Sequence, residues 1–151
     1  MDPDVIVNHC LERLDGTVAV ESWGERGIFY NPDGRLKRGV YVLTIKEKDG
    51  DNDCSSQLDR QGVWRVNIGV RKSTFRTMFG EIPARPPKGG TVDAAHDFSA
   101  LDCIMPHPVY AWMGWICVLN PTERTFDVLR PLIDEAYAYA KEKYGRRMRK
   151  G

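Results

Sequence analysis

Residues 64–70, with the sequence WRVNIGV, alternate between large apolar side chains and polar or small ones. A period of two residues is that of a β-strand that turns one face toward a core and the other toward polar surroundings. Such a strand buries its apolar face only when it joins a sheet that another layer of secondary structure covers. The segment therefore predicts a sheet with one packed face, and a polar face that carries Arg65, Asn67 and Gly69.

Four other segments are rich in β-branched and aromatic residues, as strands are, and lie at 18–23, 27–30, 40–46 and 110–119. The sequence Asn-Pro-Asp-Gly at 31–34 is a strong turn signal, because proline presets φ at the second turn position and glycine accepts the exit from the turn. Short turns between neighbouring strands predict antiparallel pairing.

Two amphipathic helices flank the strands. At the N-terminus, Asp2 and Pro3 supply a cap and a first-turn proline, and apolar residues then recur every four positions. Near the C-terminus, Thr122 is a suitable cap, and Pro131 either kinks the helix or opens a second one. The spacing of one buried helical face continues there through Leu129, Leu132, Ile133, Ala136, Tyr137, Ala140 and Tyr144.

A short helix from Ser73 to Phe79 and polar or proline-rich loops at 49–61 and 81–91 complete the pattern. We predict an α+β fold with an antiparallel sheet of about four to five strands and with the N- and C-terminal helices packed on it. Residues 1–145 form this single domain, and residues 146–151 form a basic, frayed tail.

The bulk properties exclude several classes of protein. A net charge of +1 over 151 residues provides no overall field that would draw the chain to nucleic acid or to an anionic membrane. The apolar runs are much shorter than the ~20 residues that span a bilayer, and the N-terminus lacks the basic and apolar regions of a signal peptide. The four cysteines form no CxxC pair. We therefore expect a cytoplasmic protein with reduced thiols and without a membrane anchor.

A cluster of reactive side chains lies between residues 96 and 110. His96, Asp102 and His107 are the candidate catalytic residues, because a histidine can act as a general base near neutral pH. His96, Cys103 and His107 are a weaker candidate metal site. The prolines on both sides of His107 favour extended backbone, which prevents Cys103 and His107 from sharing a helical face. No cofactor is predicted.

Basic residues are frequent around the fourth strand and the short helix, at Arg60, Arg65, Arg71, Lys72, Arg76, Arg85 and Lys88. This cluster favours an anionic ligand or nucleic acid, although runs of charge more often lie on a solvated face. The glycine spacing of a phosphate-binding loop is absent. The alternating aspartates of 49–53 lack the glycine and glutamate that a calcium-binding loop requires.

Several longer motifs carry a family resemblance. The stretches SSQLDRQGVWRVNIGV at 55–70, HDFSALDCIMPHPVY at 96–110 and GWICVLNP at 114–121 resemble a bacterial family, found largely in actinomycetes, that is known as domain of unknown function 6194. The last strand and helix are more remotely similar to the MmcQ/YjbR group, which implies a small YjbR/CyaY-like α+β domain akin to domains thought to bind DNA. The resemblance and the polar strand face together give the candidate ligand-binding residues, which are Asp59, Arg60, Arg65, Asn67, Tyr110 and Trp115.

Three functions are compatible with these residues, and the sequence leaves open whether the protein is an enzyme. The first is a non-enzymatic binding or interaction domain, because no complete catalytic motif is present. The second is a small-molecule or metal-dependent enzyme with His96, Asp102 and His107 in its site. The third is a homodimer that associates through Trp112 or Trp115, which alternate to opposite faces if residues 110–119 are a strand.

Overall fold

The computed structural model describes residues 1–22 and 24–150. In this part of the chain three α-helices and six strands form one α+β domain. The helices are α1 (Pro3–Arg13), α2 (Lys72–Phe79) and α3 (Glu123–Lys150). The strands are β1 (Thr17–Ser22), β2 (Glu25–Tyr30), β3 (Val40–Lys46), β4 (Arg65–Ile68), β5 (Met105–Pro106) and β6 (Ile116–Leu119). Trp23, which the sequence placed in the first strand, lies outside the described residues.

All strand pairs are antiparallel, and the order across the sheet is β1-β2-β3-β4-β6-β5. The predicted fold class is confirmed, with β5 as one strand more than expected. Met105 and Pro106, which the sequence did not assign to a strand, form β5 by pairing with Cys117 and Ile116. A strand of two residues is too short to be predicted from an alternating sequence pattern.

One face of the sheet packs against α1 and α3. Ile28, Leu43 and Ile68 lie opposite one another on neighbouring strands and are fully buried. Ile133 and Ala140 of α3 are fully buried as well. At the edge of this face Arg26 binds Asp4 of α1. The opposite face carries the polar residues of the alternating strand pattern, and loops rather than helices cover it.

The segment 110–119 is not a continuous strand. Residues Ala111–Met113 form a 3-10 turn, and Gly114 adopts a left-handed conformation with φ 92° that leads the chain into β6. A non-glycine residue is strained at that φ, so Gly114 fixes the end of the turn. The alternating placement that we expected for Trp112 and Trp115 is therefore wrong, because it assumed a strand.

The helix termini follow the sequence signals in part. Asp2 caps α1 by accepting a hydrogen bond from the Asp4 N–H at 2.8 Å, and Oγ1 of Thr122 accepts one from the Thr125 N–H at 3.3 Å before α3. Ser73, at which we expected the short helix to begin, lies inside α2, and the N-cap residue Arg71 makes no side-chain cap hydrogen bond.

The helix α3 is continuous through Pro131 and includes residues 146–150 of the basic segment. All four cysteines are free thiols. No helix among the described residues combines the length and the apolar character needed to cross a membrane.

Candidate functional site

Hydrogen-bonded polar side chains run across the loop-covered face of the sheet. Pairing of β4 with β3, and of β3 with β2, places Arg65, Asn67, Thr44 and Glu25 on this one face. The Nε of Arg65 donates to Oδ1 of Asn67 at 2.7 Å, Nδ2 of Asn67 donates to Oγ1 of Thr44 at 2.9 Å, and Oγ1 of Thr44 donates to Oε2 of Glu25 at 3.4 Å. Side-chain hydrogen bonds thus join β4 to β3 and β3 to β2 across this face.

Arg65 is the anchor of this network and exposes none of its surface. Its guanidinium forms a bidentate ion pair with Asp53, at 3.0 Å from Nη1 to Oδ1 and 2.5 Å from Nη2 to Oδ2, and Nη1 also donates to Oγ of Ser56 at 2.9 Å. Burial alone would raise the pKa of the Asp53 carboxyl, but the hydrogen bonds and charge of Arg65 outweigh it and hold that pKa below its usual value. The pair ties the loop between β3 and β4 to the sheet.

His107 packs beside this arginine with only 2% of its surface exposed. Its Nδ1 accepts hydrogen bonds from the N–H groups of Val109 and Tyr110, each at 3.0 Å, and its Nε2 lies 3.2 Å from Nη2 of Arg65. Because two backbone donors occupy Nδ1, the one proton of the neutral ring lies on Nε2, and a second proton could be added only at Nδ1, where it would displace both hydrogen bonds. Burial, followed by the charge of Arg65, holds the pKa of His107 well below the usual histidine value.

The geometry at His107 favours a positioning role. The ring fixes the backbone at Tyr110 through Nδ1, and its centroid lies 5.2 Å from that of the Tyr110 ring. Pro108 favours extended backbone at His107, and the backbone N–H of His107 donates to the carbonyl oxygen of Trp115 at 3.0 Å. His107 thus holds two aromatic side chains, Tyr110 and Trp115, at one place on the sheet.

A cavity of about 270 Å³ lies where these groups meet. We call it the sheet-face cavity, and the residues that line it are Glu25, Tyr41, Thr44, His107, Tyr110, Met113 and Trp115. Tyr110 and Met113 are 47% and 44% exposed, so they lie toward solvent, whereas Thr44 and His107 are buried at the base.

Two aromatic rings form a corner of the cavity. The rings of Tyr41 and Trp115 are nearly perpendicular, at 81°, with 6.1 Å between their centroids. The Trp115 indole lies against Gly69, where a Cβ would come within 3.0 Å of its Cζ2. Because real Cβ atoms rarely make contacts that close, the absence of a side chain at Gly69 sets the position of the indole.

Glu25 supplies the charge of this cavity. It is half-buried, and burial raises the pKa of its carboxyl despite the opposing charges of Lys46 and Arg65. Its hydrogen bond from Thr44 is long, and the ion pairs of the described residues do not include it. Among the described residues, the negative charge of the Glu25 carboxylate therefore has no directly bound positive partner.

The predicted site residues are divided among several places. His107, Tyr110 and Trp115 line the sheet-face cavity, and Arg65 and Asn67 lie buried beneath it. Asp59 and Arg60 instead line a broad open depression of about 860 Å³ near the N-terminus, together with the exposed ion pairs of Arg26. That depression is larger, but it is open and polar and lacks the convergent buried groups that characterise ligand sites.

The two other catalytic candidates lie apart from His107. His96 is exposed and packs edge-on against Phe79, with 5.6 Å between ring centroids. Asp102 accepts a hydrogen bond from the Thr122 N–H at 2.9 Å at the start of α3, and this bond holds the pKa of its carboxyl below the usual value. Cys103 is exposed. Within residues 1–22 and 24–150, no group of three or more His, Cys, Asp or Glu side chains is placed to hold a metal ion.

Four of the five arginines in the basic cluster, Arg60, Arg65, Arg71 and Arg85, contact other parts of the protein. Arg60 donates to the carbonyl oxygens of Ser56 and Ser99, at 3.0 and 2.9 Å, which joins two loops. Arg71 binds Glu142 and stacks on Tyr139, and Arg85 lies 4.7 Å above the ring of Trp112. These contacts, with the burial of Arg65, reduce the free positive surface that the cluster suggested.

The sequence did not indicate Glu25, Tyr41, Thr44 and Met113 of the cavity, nor Asp53 of the network beneath it. Thr44 and Tyr41 belong to a predicted strand, but nothing in the sequence showed which of its faces would carry a cavity. Asp53 was considered only as part of a calcium loop. The available signal for Thr44 was the alternation of polar residues in β3 and β4, which places it beside Asn67 once the strands pair.

Comparison with known proteins gives one match. The family model described as "Family of unknown function (DUF6194)" matches residues 1–149. No curated protein and no solved structure matches the chain.

Proposed function

The chain belongs to the DUF6194 family of unknown function, and we propose that it is a binding domain that holds a small organic molecule in the sheet-face cavity. The observation that carries this proposal is the combination of aromatic walls with a few convergent polar groups. Tyr41, Tyr110 and Trp115 provide apolar surface, while Glu25 and Thr44 provide polar contacts at the base. Ligand sites are commonly concave, largely apolar and supplied with a small number of fixed polar groups.

The rigidity of the base supports the same proposal. Arg65, Asn67 and Thr44 are buried and joined by hydrogen bonds of 2.7 and 2.9 Å, and His107 holds Tyr110 from below. A preformed site loses less conformational entropy when a ligand binds than a flexible one does. The buried network therefore holds the base of the cavity in one arrangement before a ligand binds.

A binding role is favoured over an enzymatic one. His107 lacks a ring nitrogen free to take a proton, and His96 and Asp102 lie in other contacts. Binding of nucleic acid or of another anion and formation of a homodimer stay predictions from the sequence. The cytoplasmic location is likewise part of this proposal.

The test is a fragment-binding measurement by ligand-observed NMR with phenol, benzylamine and benzoate. At least one probe should bind with a Kd of about 1 mM or tighter, which is about −4 kcal/mol and is reachable for a molecule of this size in an aromatic cavity. Tyr110→Ala should weaken that binding, because Tyr110 is an exposed wall of the cavity.

Tyr139→Ala is the matched control, since this tyrosine lies on α3 outside the cavity. Equal loss of binding in both variants, or binding that neither variant changes, would contradict the proposal. Thermal melts of both variants verify that they are folded.

A further inference from the structure

The charge of the sheet-face cavity indicates what kind of ligand it takes. Among the described residues that line it, Glu25 is the one acidic side chain, and neither lysine nor arginine is present. Arg65 lies beneath the cavity, but Asp53 already neutralises it. An anionic group in the cavity would be repelled by this carboxylate, which forms no ion pair among the described residues, and a cationic group would be attracted to it.

The nearest lysine does not occupy this position. Lys46 faces the same side of the sheet as Glu25, but its Nζ lies toward Gly50, where an added Cβ would be 3.2 Å away. Arg38 lines a smaller depression, of about 80 Å³, that shares Glu25 and Tyr41 with the cavity. Neither forms an ion pair within 4.0 Å of the Glu25 carboxylate among the described residues.

The aromatic residues add a second, independent indication. Tyr41 and Trp115 are perpendicular at 81° with centroids 6.1 Å apart, so they form two sides of a box, and Tyr110 and Met113 lie at its mouth. The faces of aromatic rings attract cations electrostatically, and cages of such rings bind alkylated ammonium groups, which shed their hydration more readily than simple ammonium does. A carboxylate at the base of such a box complements the same group.

From this juxtaposition we propose that the sheet-face cavity binds a small organic cation whose alkylated ammonium group lies against Tyr41, Trp115 and the Glu25 carboxylate. The inference rests on the proposed binding function and specifies its ligand class. The ligand of this cavity would thus have the opposite charge to the ligand that the basic cluster predicts.

The experiment compares choline with 3,3-dimethyl-1-butanol, which has the same shape but a neutral carbon in place of the nitrogen. Titrations followed by NMR should give choline an affinity at least about tenfold higher, because a desolvated cation–π contact and an ion pair together contribute about that factor. Glu25→Gln should lower the ratio of the two affinities severalfold, to the part that the aromatic rings contribute. Glu21→Gln, an exposed glutamate of β1, should leave the ratio unchanged.

The pH dependence of the unmodified protein supplies a second measurement that needs no variant. The groups around Glu25 are Thr44, Lys46, Arg65 and Asp53, with Arg38 in the adjoining depression. Choline affinity should fall as the pH drops through the raised pKa of Glu25, because protonation removes the negative charge. Binding of dimethylbutanol should stay constant over that range.

The possible results separate this inference from the proposed function. If the neutral alcohol, or benzoate, binds as tightly as choline, then the cation inference is overturned while the binding function stands. If choline, the alcohol and the fragment probes all fail to bind, both are overturned. A choline preference that Glu25→Gln leaves unchanged would also contradict the inference, since it would place the cation away from Glu25.

Discussion

Asp53→Asn is the perturbation that tests the buried network most sharply. The substitution removes the only negative charge bound to the guanidinium of Arg65 among the described residues, and Arg65 has no exposed surface from which water could replace it. Breaking a buried pair by removing one partner costs about 3–5 kcal/mol, because an uncompensated charge remains inside. This is a large share of the total stability of about 5–15 kcal/mol that a domain of this kind has.

Urea denaturation followed by tryptophan fluorescence measures the loss, and for a domain of this length it corresponds to a fall in Tm of roughly 6–20 °C. Asp51→Asn, an exposed aspartate of the same loop, is the matched control and should change stability by less than about 0.5 kcal/mol. The double variant Asp53→Asn, Arg65→Met should be more stable than Asp53→Asn alone, because the unpaired charge is gone.

The effect has a defined pH dependence. The folded-state pKa of Asp53 is lowered from its ordinary 3.8, so the ion pair contributes fully above that ordinary value and is lost as the pH falls through the lowered pKa. The stability gap between the natural protein and Asp53→Asn should therefore be constant near neutrality and narrow only in strong acid. A gap below about 1 kcal/mol at neutral pH would refute the account of the network.

Two further predictions concern the cavity. Gly69→Ala should displace the Trp115 indole, since the new Cβ would lie 3.0 Å from it. The variant should therefore bind ligand more weakly and show changed tryptophan fluorescence. Unchanged fluorescence and binding would contradict this prediction. The imidazole NMR signals of His107 should stay those of the neutral ring through the pH range near 6.5 where an ordinary histidine titrates, because burial and Arg65 disfavour its charged form; a normal titration curve would show that the ring has a free nitrogen.

Local periodicity and turn chemistry predicted most of the fold. The alternation at 64–70 correctly identified the buried row of β4, and the spacing in α3 correctly identified Leu129, Ile133 and Ala140 as core residues. The failures come where backbone geometry depends on one residue or on a distant partner. Gly114 requires a left-handed φ that divides the expected last strand, and a two-residue strand such as β5 exists only because β6 pairs with it.

The polar face of β4 shows what a sequence pattern leaves undetermined. Alternation predicts that Arg65 and Asn67 share a face, and they do, but it does not predict what lies above that face. In the structure a loop carrying Asp53 and Ser56 closes over Arg65 and buries it completely. The sequence predicted Arg65 as a surface cation, whereas in the structure it is the centre of an internal hydrogen-bond network.

The location of His107 follows the same logic. Its flanking prolines predicted extended backbone, and the ring is held by the N–H groups of Val109 and Tyr110. Its contact with Arg65 comes from a residue 42 positions away in the chain, which no local motif reveals. Glu25, the residue on which the ligand class depends, carried no sequence signal because a glutamate at the edge of a strand is ordinarily solvated.

The most direct test of the central claim is a map of backbone and indole amide shifts in ¹H–¹⁵N NMR spectra as choline is added. If the sheet-face cavity binds the cation, the largest shifts should fall on Thr44, Tyr110 and the Trp115 indole N–H, with saturation at millimolar concentrations or below. Shifts that centre on Asp59 and Arg60 in the broad depression, or an absence of shifts up to tens of millimolar, would contradict the claim.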